Sequence, residues 1–355
     1  MRDEQWNWIK RVIDGTNDRV PFGVIVDSPW MPGYCGIGTI DFFMRPDVWL
    51  DAYRRIQEDF PDMIYLPDYW VEFGMASEVS GFGGQIHFFD HTPPDVRPIF
   101  KDADDAAERI GELARPDPRK HGLMPLLLNL ERYHRPRLEA MGHPSRMVCA
   151  RGPFTIGSYL LGVTEFVIFS KEYPDEFHRM TSIISDMIID WLGEQLEAFG
   201  NPEAVMVLDD ACGFFSPEDF REMALPYLQR IFGAFPDKLH FFHNDMTTDT
   251  AARYVDQIGV DVFNTTYVFS PTHLRRLMGD RVTLFGNFAP MLLTKDDPSL
   301  VAENVRGMLA DYAEGFGSLK KLILGPGGGM PIGAKREPLL SAVGALKADD
   351  RAVRN

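Results

Sequence analysis

From residue 146 onward the chain alternates short apolar runs with helix-like stretches, and this alternation constrains the fold more than any other feature. Each run is long enough for one strand and ends in polar residues or turn formers. The runs are residues 146–154, 204–210, 239–242, 260–264, 282–287 and 321–325. Together with earlier runs at residues 19–28 and 63–70, about eight or nine strand-helix units predict an α/β fold of the (β/α)8 TIM-barrel type.

No low-complexity linker interrupts this series, so the sequence predicts a single domain over residues 1–355. Residues 1–18 have the spacing of an amphipathic N-terminal helix that carries Trp6 and ends near Gly15. Residues 19–100 are predicted to add further elements and loops around the barrel mouth.

The charge and composition exclude several classes of partner. The net charge of -16 and the pI near 5.0 argue against nucleic acid, because phosphate binding requires a basic stripe that this sequence lacks. The longest apolar runs are too short to cross a bilayer, and the first residues lack a signal-peptide core. Cys35, Cys149 and Cys212 are far apart, as is typical of a reducing compartment. We therefore expect a cytoplasmic protein without a membrane partner.

One strand carries the strongest functional signal. In residues 239–246, side chains alternate between the two faces, so His243 and Asp245 point the same way as Leu239 and Phe241. An imidazole and a carboxylate therefore lie together at the carboxyl end of a buried strand. Barrel enzymes hold their catalytic residues at that end.

Other predicted strands also end in polar residues, and a barrel brings such ends to one mouth. The catalytic candidates are Asp209, Asp210, His243 and Asp245. Each has a structural alternative: adjacent aspartates often cap helices or tie loops, and a lone histidine is often a hydrogen-bonded core residue. The same-face pair and the coincidence of the other polar ends favour a functional role.

Two chemistries are open to these residues. Neutral His243 and ionised Asp245 could bind a divalent metal, with Asp209 or Asp210 as a third ligand. Alternatively, crowding of the carboxylates would keep one of them protonated as a metal-free general acid. The sequence does not separate these possibilities.

Several further residues are candidates for substrate binding. The loop at residues 29–36 is rich in aromatic residues and turn formers, although a plain surface loop explains it equally well. An asparagine amide and the glycine amides near the end of the chain suit a carboxylate or an oxyanion. The substrate-binding candidates are Trp30, Tyr34, Asp68, Tyr69, Trp70, Arg151, Asn287 and Gly328.

At this point the ordered motifs resemble those of the uroporphyrinogen decarboxylase superfamily, over residues from about 20 to 345. The resemblance implies a distorted (β/α)8 barrel and a homodimer. The motifs that carry it are Val207-Leu208-Asp209-Asp210, Ser216-Pro217-Glu218-Asp219, His243-x-Asp245, Ile258-Gly259-Val260-Asp261, Gly286-Asn287-Phe288-Ala289-Pro290 and Gly327-Gly328-Gly329-Met330-Pro331, with Arg151-Gly152-Pro153-Phe154 and Asp68-Tyr69-Trp70.

The sequence departs from both branches that the resemblance implies. The resemblance implies that true decarboxylases have an Arg-Gln-Ala-Gly-Arg-Tyr type motif after the first strand, whose arginines hold the substrate carboxylates. Residues 28–34 occupy this place here and contain no arginine. A tetrapyrrole with many carboxylates would therefore lose its main binding contacts. The corrinoid-dependent zinc methyltransferases have His-x-Cys and a later cysteine, where this chain has Asp245 and Gly328. A zinc-thiolate centre is therefore excluded, whereas a nitrogen and oxygen site formed by His243, Asp245 and Asp210 is not. The overall layout resembles the methyltransferase-like branch more closely.

Three functional hypotheses follow. The first is an enzyme that demethylates a small O-, N- or S-methylated substrate toward a corrinoid acceptor on a partner protein, with zinc or another divalent metal at the His/Asp cluster. The second is a metal-free decarboxylase or related lyase that acts on a small carboxylic acid without a cofactor, in which Asp209 or Asp210 stabilises a cationic intermediate and Arg151 holds a carboxylate. The third is a binding protein that has lost catalysis.

Overall fold

The computed structural model describes residues 1–349 and residue 351, and its framework is a set of parallel strands. The predicted domain range of 1–355 thus extends to residues outside the described part. The strands are β1 (Phe22–Ile25), β2 (Met63–Leu66), β3 (Ile86–His87), β4 (Asp95–Val96), β5 (Met147–Arg151), β6 (Ala204–Leu208), β7 (Leu239–Asn244), β8 (Val262–Thr265), β9 (Thr283–Phe285) and β10 (Leu322–Ile323).

Eight of these strands form the wall of a distorted barrel. Strands β5 to β10 make a six-stranded parallel sheet in chain order, and β1 pairs in parallel with β2. The two sheets are joined where the Gly23 amide donates to the Leu324 carbonyl at 2.8 Å. Within the described residues, no strand pairing links β2 to β5, so the ring is open on that side. The prediction of an α/β fold of distorted (β/α)8 type is confirmed.

Helices follow and flank these strands. The longest helix, Pro174–Phe199, packs along β5. The segment at residues 217–233 is a continuous helix that is α-helical at both ends and π-helical over Phe220–Ala224. The α-helices are α1 (Asp3–Ile13), α2 (Met31–Cys35), α3 (Thr39–Met44), α4 (Pro46–Asp59), α5 (Ala76–Val79), α6 (Ala103–Arg109), α7 (Met124–Ala140), α8 (Pro153–Leu161), α9 (Val163–Glu172), α10 (Pro174–Phe199), α11 (Pro217–Asp219), α12 (Leu225–Gly233), α13 (Val255–Ile258), α14 (Pro271–Met278), α15 (Ser299–Phe316) and α16 (Arg336–Lys347).

Burial explains why the strands read as continuous apolar runs. Every residue of β1, β2 and β5 is buried, because barrel strands face side chains inside and helices outside. The observed strands are shorter than the predicted runs, because the polar residues at their carboxyl ends turn into loops. Asp245 accordingly lies one position beyond β7.

Residues 19–100, which the sequence assigned to additions around the mouth, also supply two barrel strands, β1 and β2. The antiparallel pair β3–β4 does cover the mouth, because Pro93, Pro94 and Asp95 line the cavity there.

No single helix of the described chain is long and apolar enough to span a membrane. The pair α8 and α9 passes this test only when taken together, and its two halves meet at an angle of 106°.

Candidate active site

A cavity of about 370 Å³ opens at the carboxyl ends of the strands, where the loops after β1, β2, β6, β7 and β10 meet. Its wall combines carboxyl groups with aromatic and apolar side chains. The lining residues include Asp27, Ser28, Trp70, Glu72, Asp95, Arg151, Thr155, Tyr159, Asp210, His243, Asp245 and Gly329.

Three of the predicted catalytic residues meet in this cavity. The His243 Nε2 atom lies 3.5 Å from Asp210 Oδ1 and 4.0 Å from Asp245 Oδ2. One donor atom from each of these residues lies within 4.8 Å of the others, which is close enough for all three to bind one metal ion. The Asp245 amide also donates to Asp210 Oδ1 at 3.0 Å, which ties the β6 and β7 loops together.

The orientation of His243 is set from the neighbouring strand. The parallel register places His243 beside Asn264, and His243 Nδ1 lies 2.6 Å from Asn264 Oδ1. The Asn264 amide nitrogen donates to the Phe285 carbonyl, so its oxygen is the atom that faces the imidazole. His243 Nδ1 therefore carries the proton and donates, which leaves Nε2 as the atom directed at the two carboxylates.

The electrostatics of the cluster keep Asp210 easy to protonate. Burial raises the pKa of Asp210 above its ordinary value; His243 opposes this shift and the charge of Asp245 adds to it. A divalent cation would relieve the crowding of two carboxylates around one imidazole. One nitrogen and two carboxylate donors fit such a cation, in line with the predicted ligand set of His243, Asp245 and Asp210.

Asp209, adjacent to this cluster in sequence, lies apart from it. Its side chain is fully buried and accepts hydrogen bonds from the amides of Phe154 and Thr155, at 3.0 and 2.9 Å, and from the Thr155 hydroxyl at 2.9 Å. These donors lie at the start of α8, so Asp209 satisfies amides that the helix itself leaves unpaired. Burial raises the pKa of Asp209 to about 7 although the three donors oppose this shift. The Thr155 hydroxyl in turn accepts from the Asp210 amide at 3.1 Å.

Arg151 lines the cavity but its charge is already paired. Its Nη2 atom lies 2.5 Å from Glu72 Oε2, its Nη1 atom lies 3.8 Å from Glu78 Oε2, and the guanidinium stacks on the Trp70 ring at 4.8 Å. Glu72 and Glu78 follow β2, whereas Arg151 ends β5. This network bridges the open side of the barrel, so Arg151 supports the wall there.

The structure places the loop aromatics away from the cavity. Trp30 is fully buried against Tyr34, with ring centroids 5.3 Å apart, because residues 31–35 form α2 and press both rings against the wall near Phe60. The Tyr34 hydroxyl donates to Asp59 at 2.9 Å. Of the aromatic candidates, Trp70 is the one that lines the cavity.

Of the remaining substrate-binding candidates, one adjoins the cluster and the others lie outside the cavity. Asp68 pairs with the Met1 amino group and accepts from the Gln57 amide, and Tyr69 packs on Trp49, so neither side chain lines the cavity. The Asn287 amide donates to the carbonyls of Thr266 and Phe269 and is buried outside it. Gly328 does adjoin the cluster, because a Cβ atom there would lie 2.6 Å from Asp245 Oδ2.

Four titratable cavity residues had no assigned role in the predicted site: Asp27, Glu72, Asp95 and Tyr159. Asp27 follows β1 in the same way as Asp210 follows β6, and its place at a strand end was the available signal. Glu72 lies in a loop, Asp95 in the two-residue strand β4 and Tyr159 in α8, where no periodicity indicates which residues face the mouth.

Comparisons with known proteins agree with this architecture. The family model described as uroporphyrinogen decarboxylase (URO-D) matches residues 62–348. The uroporphyrinogen decarboxylase of Psychromonas ingrahamii is 26% identical over 292 residues, which are 78% of this chain and 76% of that protein. The corresponding enzyme of Vibrio cholerae is 24% identical over 287 residues, covering 77% and 74%. A solved methyltransferase from Methanosarcina mazei superposes with a TM-score of 0.77 at 17% identity, covering 97% of this chain and 98% of that one, which is a likeness of fold.

Proposed function

The chain belongs to the uroporphyrinogen decarboxylase family, and from this membership we propose that it is a methyl-transfer enzyme. It removes the methyl group of a small O-, N- or S-methylated compound and passes it to a corrinoid acceptor carried by a partner protein. The observation that carries this proposal is the convergence of Asp210, His243 and Asp245 on one cavity. The likeness of fold to a methyltransferase is consistent with it.

Asp210, His243 and Asp245 are the residues that would hold a divalent ion such as zinc. When bound, this ion supplies a Lewis acid that polarises the heteroatom from which the methyl group leaves. Asn264 contributes by fixing the imidazole with Nε2 toward the cavity. Asp245 is the most accessible of the three ligands, with 40% of its side chain exposed, so the substrate approaches from its side.

The walls of the cavity favour a small substrate of low negative charge. Among the described lining residues, Arg151 is the single arginine, and Glu72 and Glu78 already pair with it. A substrate carboxylate would have to break a buried ion pair to reach Arg151, which costs several kcal/mol in comparable sites, on the order of 3–5. A role for Arg151 in holding the acid of a decarboxylase therefore has less support than a structural one.

Metal content and methyl transfer together test the proposal. We expect the purified protein to bind close to one equivalent of divalent metal and to form methylcobalamin from free cob(I)alamin with a methylated donor. His243→Gln should abolish metal binding. The control is His240→Gln on the same strand, whose ring bonds to the carbonyls of Gly259 and Phe235 and so faces away from the cluster.

The two alternatives give different outcomes. Full methyl transfer by the metal-free protein would contradict the metal part of the proposal. Release of carbon dioxide from small acids, without methylcobalamin, would instead indicate a decarboxylase. Binding of ligands with neither product would indicate a binding protein. The predicted homodimer is tested separately, by sedimentation of the same preparation.

A further inference from the structure

Asp27 is a cavity carboxyl group that the functions assigned above do not use. It follows β1, which lies across the barrel ring from β7, so it reaches the cavity from the side opposite His243. Gly329 lies against it, and a Cβ atom at that glycine would be 2.6 Å from Asp27 Oδ2. The absence of a side chain at residue 329 therefore leaves room for the Asp27 carboxyl at the mouth.

The hydrogen bonding of Asp27 is incomplete. Its Oδ1 atom is buried and has no hydrogen-bond partner among the described residues. The neighbouring Ser28 hydroxyl, also in the cavity wall, is buried without a described partner as well. A buried polar atom without a partner is costly, and such atoms in a cavity wall point to a ligand that supplies the missing bond.

The other cavity carboxyl groups are engaged. Asp210 and Asp245 share the His243 cluster, and Glu72 accepts from Arg151 and from the Ser28 amide at 3.0 Å. Asp95 accepts from the Val96 amide at 2.7 Å. Asp27 is thus the lining carboxyl, within the described chain, with a buried oxygen atom that has no hydrogen-bond partner.

The surroundings of Asp27 also favour its neutral form. Burial raises the pKa of Asp27 well above its ordinary value, and the charges of Glu72 and Asp245 add to this effect while Arg151 opposes it. The charge of Asp27 also acts on Tyr53, whose own burial raises its pKa and keeps it neutral. A carboxyl group whose neutral form is favoured in this way is suited to general acid catalysis.

We propose that Asp27 is the proton donor to the heteroatom that loses the methyl group, a role that rests on the proposed function. As the methyl–heteroatom bond breaks, the bonding electron pair stays on the heteroatom, which takes the Asp27 proton. The reduced corrinoid, Co(I), supplies the electron pair of the new bond to the methyl group. The demethylated fragment of an ether therefore leaves as a neutral alcohol or phenol. Asp27 then regains its proton from water.

Two donors with different leaving groups test this role. Anisole releases phenoxide, which requires a proton, whereas trimethylanilinium releases neutral dimethylaniline, which does not. With cob(I)alamin as acceptor, Asp27→Asn should lower the rate with anisole about 100-fold or more, the usual contribution of a general acid. The rate with trimethylanilinium should stay within about threefold of wild type, since binding and the metal cluster are unchanged.

Controls separate this role from a structural one. Asp18 is exposed, so Asp18→Asn measures the effect on both rates of losing one carboxyl group elsewhere in the protein. In the wild type, the anisole rate should fall as pH rises through the pKa of Asp27, while the trimethylanilinium rate should not. Equal loss with both donors, or no loss with either, would overturn the assignment.

A second measurement does not depend on turnover. The infrared difference between wild type and Asp27→Asn at pH 7 should contain the carbonyl band of a protonated carboxyl group. A carboxylate band in its place would refute the role of Asp27 even if methyl transfer is observed. Wild-type protein that is inactive with both donors would refute the proposed function, and this role with it.

Discussion

Replacing Asp209 should damage the fold, whereas replacing the adjacent Asp210 should damage the site. Asp209→Ala removes the acceptor of three buried hydrogen bonds from Phe154 and Thr155 at the start of α8. Each buried donor left without a partner costs about 1–3 kcal/mol, and loss of a helix cap alone costs about 1 kcal/mol. Because water can enter the space partly, we expect a loss of about 3–5 kcal/mol in the free energy of unfolding.

The assay is urea denaturation followed by circular dichroism, together with hydrogen exchange at the amides of residues 153–155. Asp209→Asn keeps one acceptor oxygen and should cost about half as much as alanine. The Asp210 side chain is partly exposed. Asp210→Asn should therefore change stability by less than about 1 kcal/mol but lower metal affinity. An Asp209→Ala variant that is as stable as wild type, with unchanged exchange at the start of α8, would show that Asp209 does not support the fold.

Two further variants test the space beside Asp245 and the buried carboxyl group of Glu131. Gly328→Ala should lower metal affinity at least about 10-fold in a chelator competition, because the added Cβ atom would displace Asp245. The control is Gly333→Ala, which is also at positive φ but has no close neighbour and should leave metal affinity unchanged. Burial raises the pKa of Glu131 to about 8, so the folded state holds one more proton than the unfolded state between pH 4.5 and 8. Glu131 should therefore contribute a fall in stability of about 1.4 kcal/mol per pH unit as pH rises through this range, and Glu131→Gln should reduce the slope measured in urea titrations by that amount.

Local sequence determined the strands and the pair at the centre of the site. Because strand side chains alternate, residues two apart project to the same side, and His243 and Asp245 do meet in the cavity even though Asp245 lies just past β7. The repeated strand-helix units likewise dictated parallel pairing and brought the ends of distant strands to one mouth. These properties depend on residues close together in the chain, so periodicity was sufficient to predict them.

Tertiary structure alone decided which polar ends serve the cavity. Asp209 and Asp210 are adjacent, and only the hydrogen bonds from the α8 amides to Asp209 show that the first caps a helix while the second faces His243. Arg151 lines the mouth, yet Glu72, which lies 79 positions away in the sequence, neutralises it. Such contacts depend on where distant loops come to rest and on the cost of burying a charge without a partner, and no local pattern encodes either.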